Sequence, residues 1–538
     1  MPPAVYVPEA EKCRRRASSP RAEGRFGVNC GERLAPQVIW VVPRLGGSSR
    51  LLHALPIPSG TGSLGPREAR SKGFRILIGR GGIPSARYLG MKTQFLAMGV
   101  GLDTRSARRT WSLGARAALC AALAVALTGP VGAQVGEPWV LEARNWEKGK
   151  DLLPEPVLRR VASGEYWFRI VPAAPEEFRT NYSTTFWEAS AANDGKYDLD
   201  PETCGLRDKT TKQIPEFFFG YPFKTIDPKD PEAGCKIAWN FLAAGFMGGG
   251  AGASFYLEGL EMGGPYRTIK THVRAMPFVG YHGDPRPNPD RLAGKATSKA
   301  LEPSDVEGVS TLTVRHWDWV KPDDMWAYVP ATRRARRIHA SARSEPVAGM
   351  DIFADDINCY AGRVEGYRWK LIGEGKTLAP VVGGPGARVA GRASPTRWLV
   401  PSPPLPANYE KPGQRGAPWL IVENLAFVPR PAWIVEGESK DPYYNFGKVV
   451  MYFDKEMYRI YWKLVHNRAD EYFYNAMCGY MFSISPDRTF SAVAPTVVVG
   501  VNDKENRAAI GGRSQDQFIE QAFDPDVFSL RALTRRGD

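Results

Sequence analysis

Apolar and polar side chains alternate in two-residue steps over long stretches of the C-terminal half of the chain. The alternation runs through residues 266–281 (YRTIKTHVRAMPFVGY) and 310–320 (STLTVRHWDWV). Such steps are typical of strands whose two faces meet different surroundings. Residues 323–340 (DDMWAYVPATRRARRIHA) add a strand, a proline-marked corner and a second strand. The pattern predicts a series of antiparallel strands.

The most distinct element is a hairpin near the end of the chain. Residues 449–465 (VVMYFDKEMYRIYWKLV) read as two aromatic strands that meet at the polar turn Asp454-Lys455-Glu456. Many strands with short turns and a few helices predict an α+β fold class, built on one large, twisted antiparallel sheet.

The length of the chain after residue 133 is sufficient for one large domain, which we place at residues 134–538. Within it, two polar stretches rich in proline and glycine interrupt the strand pattern. We therefore expect long loops near 283–307 and 375–418.

A different pattern lies near the start of the chain. Residues 107–134 (ARRTWSLGARAALCAALAVALTGPVGAQ) place arginines before a short apolar run that ends in small residues. The run is too short to cross a bilayer, which takes about 20 apolar residues, but it has the length of a signal-peptide core. We predict a signal peptide at 91–133, cut near Ala133, and an exported, periplasmic protein that does not span the membrane after cleavage. The alternative is a short buried helix.

The basic charge of the chain belongs to its front part. Residues 1–90 show no sustained apolar periodicity, and we interpret them as upstream sequence or, alternatively, as a disordered extension. Residues 1–133 hold 20 Lys and Arg against 6 Asp and Glu, which accounts for the formal net charge of +14 and leaves 51 residues of each sign in the remainder. A neutral mature chain gives no electrostatic reason for a nucleic-acid partner.

Four cysteines remain after residue 133: Cys204, Cys235, Cys359 and Cys478. An even number in an exported protein permits disulfides. We predict a bond between Cys204 and Cys235, the alternative being two buried thiols. Closing this loop of about thirty residues stabilises the fold by roughly 3–4 kcal/mol in the loop-entropy description. The histidines are scattered and no CxxC occurs, so we expect no metal and no cofactor.

The strongest local charge is the basic run RRARRI. Its arginines alternate between the two faces of an extended segment, so they do not form one flat basic stripe. Acidic residues follow soon after, and guanidinium and carboxylate groups pair well. We predict an internal charge network, the alternative being a site that orients an anionic headgroup. Its members are Arg333, Arg334, Arg336, Arg337, Asp355 and Asp356.

Catalytic motifs are absent from the sequence. We find no nucleophile elbow, no HExxH and no SxxK with its companion motifs, and we predict that the protein is not an enzyme. The large apolar residues of the final strands instead fit a concave sheet that shelters a lipid-like ligand. The alternative is an ordinary core beneath helices. The residues predicted to line such a hollow are Trp369, Leu371, Met451, Phe453, Tyr458, Ile460 and Trp462.

Three long stretches of the sequence resemble a known family: YPFKTIDPKDPEAGCKIAWN, the segment from DDMWAYVP to YRWKLIGEG, and PAWIVEGESKDPYYNFGKVVMYFDKEMYRIYW. The family is proteobacterial, of unknown function, and its members are often labelled outer-membrane lipoprotein-sorting-like. The resemblance implies a periplasmic protein with a LolA/LolB-like fold, an incomplete antiparallel barrel around helices. It also implies an association with inner-membrane lipid exporters of the resistance-nodulation-division type, and it carries over no catalytic residues.

Three classes of function follow from these observations. The first is a periplasmic carrier or accessory protein that shields a lipid or another hydrophobic molecule from water. The second is a non-carrying assembly partner of an envelope complex, which requires a filled hollow and an exposed apolar patch. The third is a periplasmic hydrolase, which requires titratable groups gathered in a cleft.

Overall fold

The computed structural model describes residues 136–245, 248–411, 413, 415–514, 516–520 and 524–534. The predicted upstream segment and signal peptide lie outside the described residues. Within them, no helix combines the length and the apolar character needed to cross a membrane.

The α-helices of the described residues are short. Numbered in chain order they are α1 (Glu155–Ala162), α2 (Pro175–Arg179), α3 (Thr184–Ala192), α4 (Ala233–Ala243) and α5 (Leu530–Leu533). Short 3₁₀-helical segments connect other elements, at Ala143–Gly149, Ala340–Ser344, Val347–Gly349, Ala354–Cys359, Val364–Gly366, Asn408–Glu410 and Pro525–Phe528.

Strands make up most of the regular structure. The first strands are β1 (Trp139–Leu141), β2 (Phe168–Ile170), β3 (Tyr197–Leu199), β4 (Leu206–Asp208), β5 (Ala251–Glu261), β6 (Gly264–Pro277), β7 (Leu292–Glu302), β8 (Ser310–His316), β9 (Asp324–Val329) and β10 (Arg334–Ile338). The remaining strands are β11 (Tyr367–Val382), β12 (Arg388–Val389), β13 (Gly391–Ser394), β14 (Arg397–Pro401), β15 (Leu425–Ser439), β16 (Lys448–Asp454), β17 (Ile460–His466), β18 (Tyr472–Ile484), β19 (Ser491–Asn502), β20 (Arg507–Gly512) and β21 (Asp516–Glu520).

The long strands form one sheet. Its order is β10-β9-β8-β7-β6-β5-β20-β19-β18-β17-β16-β15-β11, and each neighbouring pair in this order is antiparallel. Short parallel contacts add β11 and β12 to β18. Among the described strands the two ends of this order, β10 and β11, do not pair with each other, so the sheet stays open. The predicted α+β fold class with a large antiparallel sheet is confirmed.

The predicted aromatic hairpin is confirmed as β16 and β17. Asp454 ends β16, and its carboxylate accepts hydrogen bonds from the backbone amides of Glu456 and Met457 at 2.7 and 2.8 Å. Tyr458 has a φ of 47°, which lets the chain reverse into β17. The carboxylate of Asp454 is fully buried and is neutralised by Arg430 at 2.8 Å. The polar turn is therefore held by Asp454 rather than exposed to water.

Both predictions of a long loop are wrong in part. The stretch 283–307 contains the eleven-residue strand β7, and the stretch 375–418 contains the end of β11 together with β12, β13 and β14. The sequence of β7, LAGKATSKALE, hides its alternation because one face carries small side chains and the other carries lysines. A strand with no fully apolar face lacks the signal by which a half-buried strand is recognised.

The two halves of the sheet are covered differently. Helix α4 packs on the start of β11, where a Cβ at Gly234 would lie 2.9 Å from the carbonyl carbon of Trp369. The strands from β11 to β20 contribute most of the main apolar core. The other half, β5–β10, has a much thinner cover, and we call it the wing.

Candidate functional site

The residues predicted to line a ligand hollow lie in the core. Trp462 is 1% exposed and lines a cavity of about 20 Å³, which has room for about one water molecule. The prediction of a ligand hollow at these residues is therefore wrong. Leu371 is half-buried, and the others are buried: Trp369, Met451, Phe453, Tyr458 and Ile460.

Aromatic side chains of the N-terminal elements fill the space that the prediction left for a ligand. The ring of Phe241 in α4 lies 5.9 Å from that of Phe453, in an edge-to-face arrangement. On β2, Phe168 lies 6.2 Å from Trp462. Edge-to-face rings at these distances attract each other and exclude water. The alternative weighed from the sequence, a core beneath helices, describes this region.

The predicted charge network also needs correction. Arg337 pairs with Asp324, whereas Asp355 and Asp356 are buried and pair with Lys463, whose side chain is fully buried. The Nζ atom of Lys463 lies 2.6 Å from Asp356 Oδ1 and 3.7 Å from Asp355 Oδ2. The basic run lies on the outermost strand, β10, and on the turn residue before it, and its four arginines are exposed: Arg333, Arg334, Arg336 and Arg337. The arginines and the acidic residues are near each other in sequence, but the sequence did not show that they lie apart in the fold.

The buried lysine and its two carboxylates act as a structural anchor. Tyr474 donates a hydrogen bond to Asp356 at 2.7 Å. Burial raises the pKa of Asp355 and the charge of Asp356 raises it further, and together they outweigh the lowering by Lys463 and Arg343. Since these groups are enclosed, the cluster has no cleft in which a substrate could meet it.

Cysteines form two disulfides among the described residues. Cys204 is bonded to Cys235, as the sequence predicts, and Cys359 is bonded to Cys478. The second bond joins β18 to residues 340–366, a stretch of 3₁₀ turns that we call the crossing segment.

A buried carboxylate fixes both ends of the crossing segment. Asp323, whose side chain is fully buried, accepts a bond from Arg315 at 2.8 Å. Arg343 and Arg363, from the two ends of the crossing segment, lie 3.3 and 3.6 Å from the same carboxylate. Burial alone raises the pKa of Asp323, but the three guanidinium groups outweigh it and lower the pKa.

Away from the ends of the strands, one face of β5–β9 carries no charged side chain, and we call it the open face. Residues directly opposite each other in antiparallel strands point to the same side of a sheet. One row across β5–β9 consists of Ala253, Val273, Ser298, Thr311 and Ala327, and a second row across β6–β8 consists of Ala275, Ala296 and Thr313. All eight side chains are half-buried, and none belongs to an apolar cluster of the described residues.

Cations of the same strands lie on the opposite face, which we call the charged face. It carries the cations Lys270, Arg274, Lys295 and Lys299, together with His272. Burial lowers the pKa of His272, and the nearby charges of Arg274 and Lys299 lower it further. This face is strongly basic where it is not covered.

The C-terminal residues cover part of the charged face. Phe528 and Leu533 form an apolar cluster with Met276 and Leu312. Ser310 donates a hydrogen bond to the carbonyl of Leu533 at 3.1 Å. The wing therefore buries apolar surface on its charged side and leaves its uncharged side accessible.

Contacts of the crossing segment bound the open face at both ends of the strands. At one end, Met350 and Ile352 pack with Ile269. At the other end, Arg315 donates a hydrogen bond to the carbonyl of Ala361 at 2.7 Å. Arg315 on β8 and Pro277 on β6 both lie opposite Gly294 of the strand between them, β7. Ile269 and Pro277 are eight residues apart on β6, which spans about 26 Å. The open face occupies this interval.

A larger cavity of about 570 Å³ lies at one end of the wing. Its lining is largely polar and includes the side chains of Asp290, Arg291, Lys295, His316, Asp318 and Lys321. Such a lining does not suit a purely apolar ligand.

Sequence reasoning missed the open face, although its signal was present. In the stretch TIKTHVRA, Lys270, His272 and Arg274 alternate with Thr271, Val273 and Ala275. The alternation was interpreted as strand structure only. Charges collected on one face leave the other face uncharged, and that asymmetry marks the site.

The fold and the site together define an open-sheet α+β protein with an uncharged, accessible wing face. Residues 140–532 match the family described as "Protein of unknown function (DUF1329)". This match covers most of the chain, and the chain belongs to that family. No curated protein matches the chain.

Solved structures of low sequence identity also match the chain. A domain named for outer membrane lipoprotein sorting, from Vibrio parahaemolyticus, is 15% identical with a TM-score of 0.39, over 57% of this chain and 100% of that one. A DUF1329 family protein from Desulfovibrio piger is 14% identical with a TM-score of 0.38, over 57% and 99%. A LolA superfamily protein from Nitrosomonas europaea is 9% identical with a TM-score of 0.32, over 54% and 96%.

Proposed function

We propose that the protein is a periplasmic carrier that holds a lipid or another hydrophobic ligand on the open face of the wing. The observation that carries the proposal is the separation of charge across strands β5–β9. Eight small, uncharged and half-exposed side chains lie on one face, whereas the cations Lys270, Arg274, Lys295 and Lys299 of β6 and β7 lie on the other.

The open face suits an apolar ligand for a physical reason. Covering apolar surface is favourable by roughly 25 cal/mol per Å² removed from water. The hydroxyl groups of Ser298 and Thr311 bond to each other at 2.7 Å, so covering them leaves neither without a partner. Small side chains also let an acyl chain approach the sheet closely. Carriage of such a ligand through water requires no chemical step.

The two disulfides of the described residues support an oxidising compartment. The periplasm, reached through the predicted signal peptide, is the compartment that we propose. An inner-membrane exporter of the resistance-nodulation-division type, which the family resemblance implies, is the partner that would supply or accept the ligand in this proposal.

A second candidate function is that of an assembly partner without a ligand. The filled space around Trp462 and Phe453 favours it, because the hollow of the main sheet offers no binding volume. In that case another protein covers the open face. A partly exposed, uncharged surface is a feature of binding sites of either kind.

Native mass spectrometry of the protein purified from the periplasm distinguishes the two functions. The carrier function predicts added mass that organic extraction removes and identifies as lipid. Protein that is reproducibly free of lipid, and that elutes in a stable complex with another envelope protein, supports the assembly function and contradicts the carrier function.

A further inference from the structure

The open face ends at two arginines. The row Ala253, Val273, Ser298, Thr311 and Ala327 continues onto the edge strand β10, where Arg336 lies directly opposite Ala327. Two residues earlier on the same strand, Arg334 lies opposite Val329 and points to the same side. The row therefore runs from uncharged side chains to cations without leaving the face.

Both of these arginines are exposed and have no partner. In the part of the chain that the structure describes, neither guanidinium forms an ion pair or a hydrogen bond. On the same strand, Arg337 points to the charged face and pairs with Asp324. On the open face, Arg315 is committed to Asp323 and to two carbonyl oxygens. Arg334 and Arg336 are therefore available to an external anion.

The dimensions of the row match those of an amphiphile. Five spacings of about 4.8 Å separate β5 from β10, so about 24 Å lie between Ala253 and Arg336. An acyl chain of one bilayer leaflet spans about 15 Å, half of the hydrocarbon thickness. A chain whose head lies at Arg336 therefore ends near Ser298 or Val273, still on the open face.

We propose that the ligand is an anionic amphiphile, with its acyl chain along this row and its phosphate or carboxylate group between Arg334 and Arg336. This inference rests on the proposed carrier function and names the class of ligand. Guanidinium groups two residues apart on one strand lie about 7 Å from each other, so one anionic group can contact both. The proposal gives a ligand to the two cations that end the row at the edge strand.

Binding of three sixteen-carbon probes to the purified protein tests the proposal by calorimetry. Lysophosphatidylglycerol and palmitate carry an anionic head, and monopalmitoylglycerol has the same acyl chain with no charged group. We expect Arg334→Gln/Arg336→Gln to weaken the anionic probes about fivefold and to leave monopalmitoylglycerol unchanged, because each exposed ion pair contributes about 0.5 kcal/mol. A phosphate-specific site loses only lysophosphatidylglycerol affinity, and a site for either anion loses both.

Arg337→Gln is the matched control, since it removes a cation from the same strand on the other face. Equal losses in the control and in the double variant overturn the inference. So does an unchanged affinity of the double variant, and self-association of that variant then assigns the arginines to protection of the edge strand. Absence of binding by all three probes refutes the carrier function itself, which separates its failure from that of the headgroup site.

Discussion

The proposed ligand position on the open face predicts that one substitution, made at two adjacent positions, weakens ligand binding at the first and not at the second. Ala296 lies on the open face, and Thr297, the next residue of β7, lies on the charged face near Arg274. Both are half-buried. Glu at either position imposes the same low strand propensity. A difference in ligand affinity between Ala296→Glu and Thr297→Glu therefore shows which face binds the ligand, because the effect on the strand is the same in both.

The magnitude follows from the geometry of the sheet. A methylene resting on a flat face is covered on one side, so it gains about half of the ~0.8 kcal/mol of a fully buried one. A Glu side chain at position 296 occupies the space over its cross-strand neighbours, about 5 Å to each side, and displaces about four methylenes. The expected loss is about 1.6 kcal/mol, which is about a 15-fold weaker Kd.

Calorimetric titration with monopalmitoylglycerol measures this loss without a charged headgroup. We expect Ala296→Glu to weaken binding about 15-fold and Thr297→Glu to change it by less than about twofold. Unchanged binding in Ala296→Glu, or an equal loss in Thr297→Glu, refutes the placement of the ligand. Unfolding curves of both variants confirm that the fold is intact.

Three further predictions concern stability. Trp462→Ala should lower the free energy of unfolding by about 3–5 kcal/mol in urea titration; a loss of lipid affinity without such destabilisation would instead support a ligand site at Trp462. Burial raises the pKa of Asp355, so the wild type loses stability as the pH rises from the unfolded pKa of about 4 through the raised folded pKa. Asp355→Asn should therefore be more stable than the wild type at pH 8, by a margin that shrinks toward pH 4, and a margin that grows would contradict the assignment. Cys359→Ser/Cys478→Ser opens a loop with a sequence separation of 119 and should cost roughly 4–5 kcal/mol; an unchanged unfolding midpoint would show that the bond adds nothing.

The strands were predictable where apolar and polar side chains alternate. The aromatic hairpin of β16 and β17 and the strands β6, β8, β9 and β10 all follow from local sequence. Strand β7 was missed because Ala, Ser and Thr on one face and Lys on the other resemble a polar loop. Its identity as a strand depends on its pairing with β6 and β8, which a local pattern does not contain.

The location of the site was less predictable than the fold. Large apolar residues such as Trp462 were expected to line a ligand site, yet large side chains are the ones that a protein uses to fill its own core. Small side chains such as those of Val273 and Ala296 occur throughout the sequence, so their residue types did not indicate a ligand site. Likewise, Asp356 found its cation in Lys463, 107 positions later in the chain, and sequence proximity to the arginines did not predict that pair.

The fixed crossing segment has a consequence for the kinetics of exchange. Asp323 holds its two ends and the bond between Cys359 and Cys478 holds its middle, so it does not swing aside as a lid. Under the proposed function, a ligand enters and leaves sideways along the open face. Its residence time is then set by the length of its own acyl chain, at about 0.4 kcal/mol or about twofold for each methylene. Two extra carbons should slow dissociation about fourfold, so the length of the ligand, and not a movement of the protein, determines how long the ligand stays bound.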